Sequence, residues 1–145
     1  MTQVRKRPVR NERAQAWTIL IIDDTADNLL VARAALEFHG ANVITVNSAE
    51  GGFTTLETLQ PTCILLDIRM PRVDGWTMFK QLRANPATAR IPVIALTAYA
   101  MQGDREKIME AGFDGYIPKP IDINTFVGTL DHLLQKQMPP AEEKL

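Results

Sequence analysis

Two short apolar runs in this chain end in carboxylates, and that pairing limits its possible folds more than any other feature. The first reads Ile19-Leu20-Ile21-Ile22 and stops at Asp23-Asp24; the second reads Cys63-Ile64-Leu65-Leu66 and stops at Asp67. Each run has the length and composition of a buried strand. If the two strands are neighbours in a parallel sheet, three carboxylates meet at one end of it. Like charges at such range repel and raise one another's pKa, so the cluster calls for a hard cation. Mg²⁺ suits it, because that ion takes oxygen ligands and keeps water positions that a phosphate can fill.

The rest of the chain alternates between strand and helix signals. Strand one is expected at about Thr18 to Ile22, followed by a helix from about Ala26 to His39 that Gly40 stops. Strand two is expected at Asn42 to Val46. Ser48 can cap the next helix, whose Ala49, Phe53, Leu56 and Leu59 fall at helical spacing. Strand three is expected at Thr62 to Leu66, and Asp74 can cap a third helix carrying Trp76, Phe79 and Leu82. Strand four is expected at Ile91 to Leu96, with Pro92 near its start, where a strand tolerates it. A fourth helix should run from about Ala100 to Ala111 and stop at Gly112. A short strand, Gly115 to Ile117, and a last helix capped by Asp122 complete the series. Strict alternation of this kind predicts an α/β fold, a parallel sheet with helices on both faces. Such sheets bind ligands beyond the carboxyl ends of their strands, at the point where strand order reverses. Asp23, Asp24, Asp67, Thr97 and Lys119 all fall at or just past strand ends.

These residue types suit phosphoryl transfer, which needs mainly positioning and neutralisation of charge. A carboxylate can attack phosphorus and become an aspartyl phosphate. Asp67 is the candidate nucleophile, since it ends the strand expected at the centre. Asp23 and Asp24 would hold the metal beside it, Lys119 would supply a point positive charge, and Thr97 a hydroxyl hydrogen bond. The two histidines, His39 and His132, fall on separate predicted helices and read as surface residues. Neither a G-x-x-x-x-G-K-[ST] loop nor a G-x-G-x-x-G is present.

Five motifs in order carry a resemblance: Ile21-Ile22-Asp23-Asp24, Leu65-Leu66-Asp67, Met70-Pro71 with Asp74-Gly75, Ala95-Leu96-Thr97-Ala98, and Tyr116-Ile117-Pro118-Lys119-Pro120. Over about residues 17 to 137 the chain resembles the CheY-like receiver domain of two-component response regulators. That resemblance implies a flavodoxin-like, doubly wound sheet of five parallel strands in order 2-1-3-4-5 with five helices. It implies that Asp67 accepts a phosphoryl group from a phosphohistidine on a sensor histidine kinase or a histidine phosphotransfer protein, and that small donors such as acetyl phosphate also serve. It implies Mg²⁺ (or Mn²⁺) held by Asp24, Asp67 and the backbone carbonyl of Arg69, with Asp23 acting through water. Lys119, Thr97 and Ala98 would bind the phosphoryl oxygens, Thr97 and Tyr116 would be the switch pair, and Pro120 would follow a cis peptide. Arg69 and Tyr99, two residues past Asp67 and Thr97, would flank the mouth of the site and tune the rate of phosphate loss. Such a protein catalyses only its own phosphorylation and dephosphorylation.

Composition adds limits. Hydrophobic residues make up 46% and charged residues 23%, with a net charge of −1, which points to neither nucleic acid nor a membrane surface. The single cysteine, Cys63, sits in an apolar run and reads as a small buried hydrophobe; with no intramolecular disulfide available, a cytoplasmic location is expected. No apolar stretch is long enough for a membrane span. Residues 1–16, rich in Arg and Lys, read as a basic flexible tail, 17–137 as the receiver domain, and 138–145 as a second tail. With so little chain after the last helix, no DNA-binding module is expected, and the protein should act through protein contacts with an unknown target. Two other readings remain: a receiver fold used as a binding module without phosphorylation, and an aspartate-nucleophile phosphatase of the haloacid dehalogenase type. The latter needs D-x-D-x-T/V, a spacing that Asp23-Asp24-Thr25-Ala26-Asp27 does not match.

Overall fold

The computed structural model describes residues 10–98 and 102–137. Tyr99, the expected helix start at Ala100, residues 1–9 of the first expected tail and the whole of the second, 138–145, lie outside the described residues. Five strands, β1 (Thr18–Ile22), β2 (Asn42–Val46), β3 (Cys63–Asp67), β4 (Val93–Thr97) and β5 (Gly115–Pro118), form one parallel sheet in the order β2-β1-β3-β4-β5. They alternate with α1 (Ala26–Phe38), α2 (Ala49–Leu56), α3 (Gly75–Ala84), α4 (Gln102–Ala111) and α5 (Phe126–Gln137). The expected doubly wound fold is therefore present. Among the described residues, no helix is long and apolar enough to cross a membrane.

Side chains on successive strand residues point to opposite faces, so each central strand feeds two cores. Ile19, Ile21, Leu65, Ile94 and Leu96 pack with α1 and α5 through Ala32, Leu36, Phe126 and Leu130. Leu20, Ile22, Ile64, Leu66 and Ala95 face the other way, against α3 and α4 through Met78, Phe79, Leu82 and Ile108. On that second face Phe79 stacks on Phe113 at 3.9 Å between centroids, and Trp76 meets Phe113 edge-on. Burial on both faces explains why β1 and β3 are continuous apolar runs rather than alternating ones. Cys63 is fully buried in the first core, and the apolar surroundings push its thiol pKa up, so it is an inert packing residue.

The helix signals mostly act as expected. Ser48 accepts a hydrogen bond from the Gly51 N–H, and Asp74 from the Thr77 N–H, each closing the first turn of its helix. Gly40 and Gly112 have φ of +91° and +104°, which only glycine adopts freely, and both follow helix ends. Asp122 differs: its carboxylate accepts from Asn124 N–H in a turn, and α5 begins only at Phe126, whose N–H donates to the Asp122 carbonyl. The inner part of the expected N-terminal tail also differs. Glu12–Ala16 form a 3-10 helix, Ala14 is wholly buried in the α1–α5 core, and Arg13 donates to Asp131 of α5. Sparse apolar content hid this docking, which is made by one buried alanine and by polar bonds to residues distant in the chain. His39 likewise has a partner, since its Nδ1 accepts the Asn11 N–H; His132 is exposed as expected.

Gly75 opens α3 directly beneath β3. Its N–H donates to the Ile68 carbonyl at 2.9 Å, and a β-carbon there would collide with the Asp67 carbonyl and lie 2.7 Å from Ile68 Cα. Alanine would gain about 1 kcal/mol in helix propensity. The backbone collision should outweigh that. Gly75→Ala is expected to destabilise the fold by about 2 kcal/mol or more in urea unfolding, and a variant as stable as the parent would contradict this packing.

Candidate functional site

Strand register builds the site. Ile22 of β1 is level with Leu66 of β3, so one further residue on each strand brings Asp23 level with Asp67. β1 and β3 flank the point where strand order reverses, the crevice where an open parallel sheet binds its ligands. On the other side Thr97 of β4 is level with Pro118 of β5, and the Lys119 N–H donates to the Thr97 carbonyl at 2.7 Å. The backbone thus presents Lys119 immediately beyond the sheet edge. The Lys119-Pro120 peptide is cis, as expected.

Asp23 is fully buried, Asp67 is 3% exposed and Asp24 is open to solvent. One carboxylate oxygen from each of the three lies within 4.8 Å of the others. Lys119 Nζ sits 2.8 Å from Asp23 Oδ2 and 3.2 Å from Asp67 Oδ1. Two of the three carboxylates therefore share one ammonium, with Asp24 beside them. Backbone donors help: the Thr25 N–H binds Asp23 Oδ1 at 2.9 Å, and the Arg69 N–H binds Asp67 Oδ1 at 3.1 Å. Burial, then the Asp23 charge, push the Asp67 carboxyl up to about 7, against the opposing pull of Lys119 and the Arg69 N–H.

Asp23 Oδ2 is enclosed yet accepts no hydrogen bond of good geometry among the described residues; its approach to Lys119 is an ion pair only. An all-oxygen donor set with an unsatisfied buried oxygen and a surplus of negative charge fits a hard divalent ion.

The other expected residues lie around this centre. Thr97 is buried at the end of β4, and Ala98 is exposed just past it. Tyr116 is half-buried on β5, with the guanidinium of Arg105 from α4 5.6 Å from its ring centroid. Arg69 is exposed on the loop after β3. A cleft of about 190 Å³ opens beside the acids, lined by Ile68, Arg69, Trp76, Thr97, Asp104 and Lys107. Sequence reasoning missed Arg105, Asp104 and Lys107. They belong to a largely exposed helix, and only the packing of α4 against β4 and β5 brings them to the site.

Comparisons with known proteins place the chain in a family and agree with the fold. A family model described as the response regulator receiver domain matches residues 19–131. The polar-differentiation response regulator DivK of Brucella ovis is 34% identical over 117 residues, spanning 81% of this chain and 95% of DivK. The receiver domain of a sensor histidine kinase from Pseudomonas aeruginosa, solved with a magnesium ion coordinated in its active-site cleft, is 34% identical with a TM-score of 0.71, covering 83% of this chain and 96% of that one. The chemotaxis response regulator CheY4 of Vibrio cholerae shares the fold at a TM-score of 0.75 and 20% identity, over 81% of this chain and 98% of its own.

The raised Asp67 carboxyl has a consequence for stability. In the unfolded chain it titrates near 3.9, so between about pH 4 and 7 the folded state holds a proton that the unfolded state gives up. Stability from this group is present at low pH and falls as pH rises through that window. In metal-free protein, Asp67→Asn should therefore raise stability by about 2 kcal/mol at pH 8 and by much less near pH 4. Denaturant melts in the presence of a chelator check this, and an equal effect at both pH values would contradict it.

Proposed function

This chain belongs to the response regulator receiver domain family, and we propose that it is a phosphorylation-controlled signalling switch with Asp67 as its phosphoacceptor. The observation that carries this reading is the shared ammonium of Lys119 between Asp23 and Asp67, beside Asp24, at the sheet's crevice. Phosphoryl transfer from a phosphohistidine on a histidine kinase or phosphotransfer protein forms an O–P bond to Asp67 and breaks the N–P bond of the donor. The departing imidazole takes up a proton.

The residues of the site divide the work. Backbone donation from Arg69 and the Lys119 ion pair hold the Asp67 carboxylate in position. Asp24, Asp67 and the Arg69 carbonyl would hold Mg²⁺ or Mn²⁺ directly, with Asp23 acting through water. The metal, when bound, supplies positive charge to the transferring phosphoryl oxygens. Lys119, the Thr97 hydroxyl and the backbone at Ala98 bind those oxygens from the other side. Once the phosphoryl group is in place, Thr97 moves to bond it, and the space it leaves admits the Tyr116 ring. The shift redistributes states already accessible to the β4–α4 region, so a few kcal/mol of differential contact is enough. A cytoplasmic partner protein would read the altered face of α4 and β5.

Asp67 is expected to be the sole modified residue. Intact-protein mass spectrometry after incubation with acetyl phosphate and Mg²⁺ should show one added phosphoryl group, not formed when a chelator is present from the start and absent in Asp67→Asn. Equal labelling of that variant would overturn the assignment. Mg²⁺ affinity should fall further in Asp24→Ala than in Asp23→Ala, because of these two Asp24 alone would touch the ion directly.

Phosphate loss needs a water in line with the O–P bond. Arg69 can pair with the phosphoryl oxygens from the rim, and Tyr99 stands two residues beyond Thr97 in the chain. Slow self-dephosphorylation follows if both screen that water. Arg69→Ala and Tyr99→Ala should each lose phosphate at least about threefold faster, equivalent to roughly 0.7 kcal/mol of barrier. Unchanged rates in both would refute the screening.

A further inference from the structure

The 3-10 segment ahead of β1 is tied to two helices. The Asn11 N–H donates to His39 Nδ1 at 2.7 Å, at the C-terminal end of α1. The Asn11 side-chain amide donates to Asp131 Oδ2 at 2.9 Å, and Arg13 Nε donates to Asp131 Oδ1 at 2.9 Å, both on α5. Between these anchors Ala14 is wholly buried, and Trp17 is 7% exposed in the same apolar cluster as Leu36 and Leu134. The segment is a strap across the α1–α5 face, on elements apart from the acidic site. We propose that His39 is a protonation-controlled latch for this strap.

The chemistry lies in one nitrogen. A neutral imidazole has a single acceptor nitrogen, and the Asn11 N–H requires it to be Nδ1, leaving the proton on Nε2. An imidazolium carries N–H at both positions. Two donors would then face each other, and the His39–Asn11 bond cannot exist. Histidine is the side chain whose charge changes within the range of about pH 5 to 8. As the C-cap of α1, His39 also lies at the helix end that favours a cation.

The charged groups around it act in both directions. Arg10, 5.4 Å from the Phe38 ring, and Arg13 on the strap oppose a further positive charge, while Glu12 beside them favours it. Asp131 on α5 and Glu37 on the same helix favour it as well; His132, next to Asp131, is exposed. Asp131 is not itself the titrating group in this range. Hydrogen bonds from Arg13 and Asn11 hold its carboxyl well below the usual carboxylate range. Acid therefore removes the α1 anchor and leaves the α5 anchor, so the strap is loosened at one side.

Amide hydrogen exchange and ¹⁵N spectra of the full chain at about pH 7.5 and about pH 5 test the latch. The His39 ring ¹⁵N shifts report the protonation state of the ring at each pH. The protection factor of the Asn11 amide, corrected for intrinsic exchange, should fall at least about tenfold, while the amides of Leu65 and Ile94 in the central strands stay protected. His39→Gln offers an acceptor oxygen without a titration, and its Asn11 protection should be the same at both pH values. Asn11 protection that changes less than about twofold in the parent chain, or an equal fall in His39→Gln, overturns the proposal. If the glutamine variant does not fold, the parent chain alone decides, through Asn11 against Leu65 and Ile94.

Discussion

The ammonium of Lys119 between Asp23 and Asp67 is the interaction on which the site depends. Two buried carboxylates side by side would otherwise expel one charge, by protonation or by opening to water. Lys119 lets both stay inside, at 2.8 Å and 3.2 Å. The compensation is incomplete, since Asp24 adds a third carboxylate and Asp67 is still held well above its ordinary pKa. A site in that condition has an unmet demand for positive charge. That demand fits a hard divalent ion, which Asp23, Asp24 and Asp67 would hold.

Everything that brings these groups together is set by the sheet. The β1–β3 register aligns Asp23 with Asp67, and the β4–β5 register aligns Thr97 with the backbone just before Lys119. Those registers are in turn fixed by burial on both faces, because a one-residue slip would exchange the side chains of the two cores. The second core, with Phe79, Phe113 and Trp76, lies directly under the cleft beside the acids. Thr97 and Tyr116 sit where that core meets the site.

The strands, their order and the acidic centre were legible because strong local signals marked them. Apolar runs ended in charge at Asp23 and Asp67, and Ser48, Asp74, Gly40 and Gly112 marked helix ends through well-understood backbone chemistry. Residues 10 to 16 were misread as part of a mobile tail. Their anchors, His39 and Asp131, lie far away along the chain, and the segment offers a single apolar contact, Ala14, to signal burial. Asp122 was misread as a cap because an Asp-led turn and a helix start share one local pattern. The residues of α4 that face the site were invisible for a different reason: a mostly exposed helix gives little periodicity from which to tell its inner side.

The central claim is that cation and phosphoryl group meet the charge that Lys119 alone leaves unbalanced. The most direct measurement is a crystal structure with Mg²⁺ and beryllofluoride, a mimic of the phosphoryl group. The account predicts beryllium bonded to a carboxylate oxygen of Asp67, Mg²⁺ on Asp24, Asp67 and the Arg69 carbonyl, and Lys119 Nζ moved from Asp23 to a fluoride. Beryllofluoride on another residue, or Lys119 still paired with Asp23 in the occupied site, would contradict it.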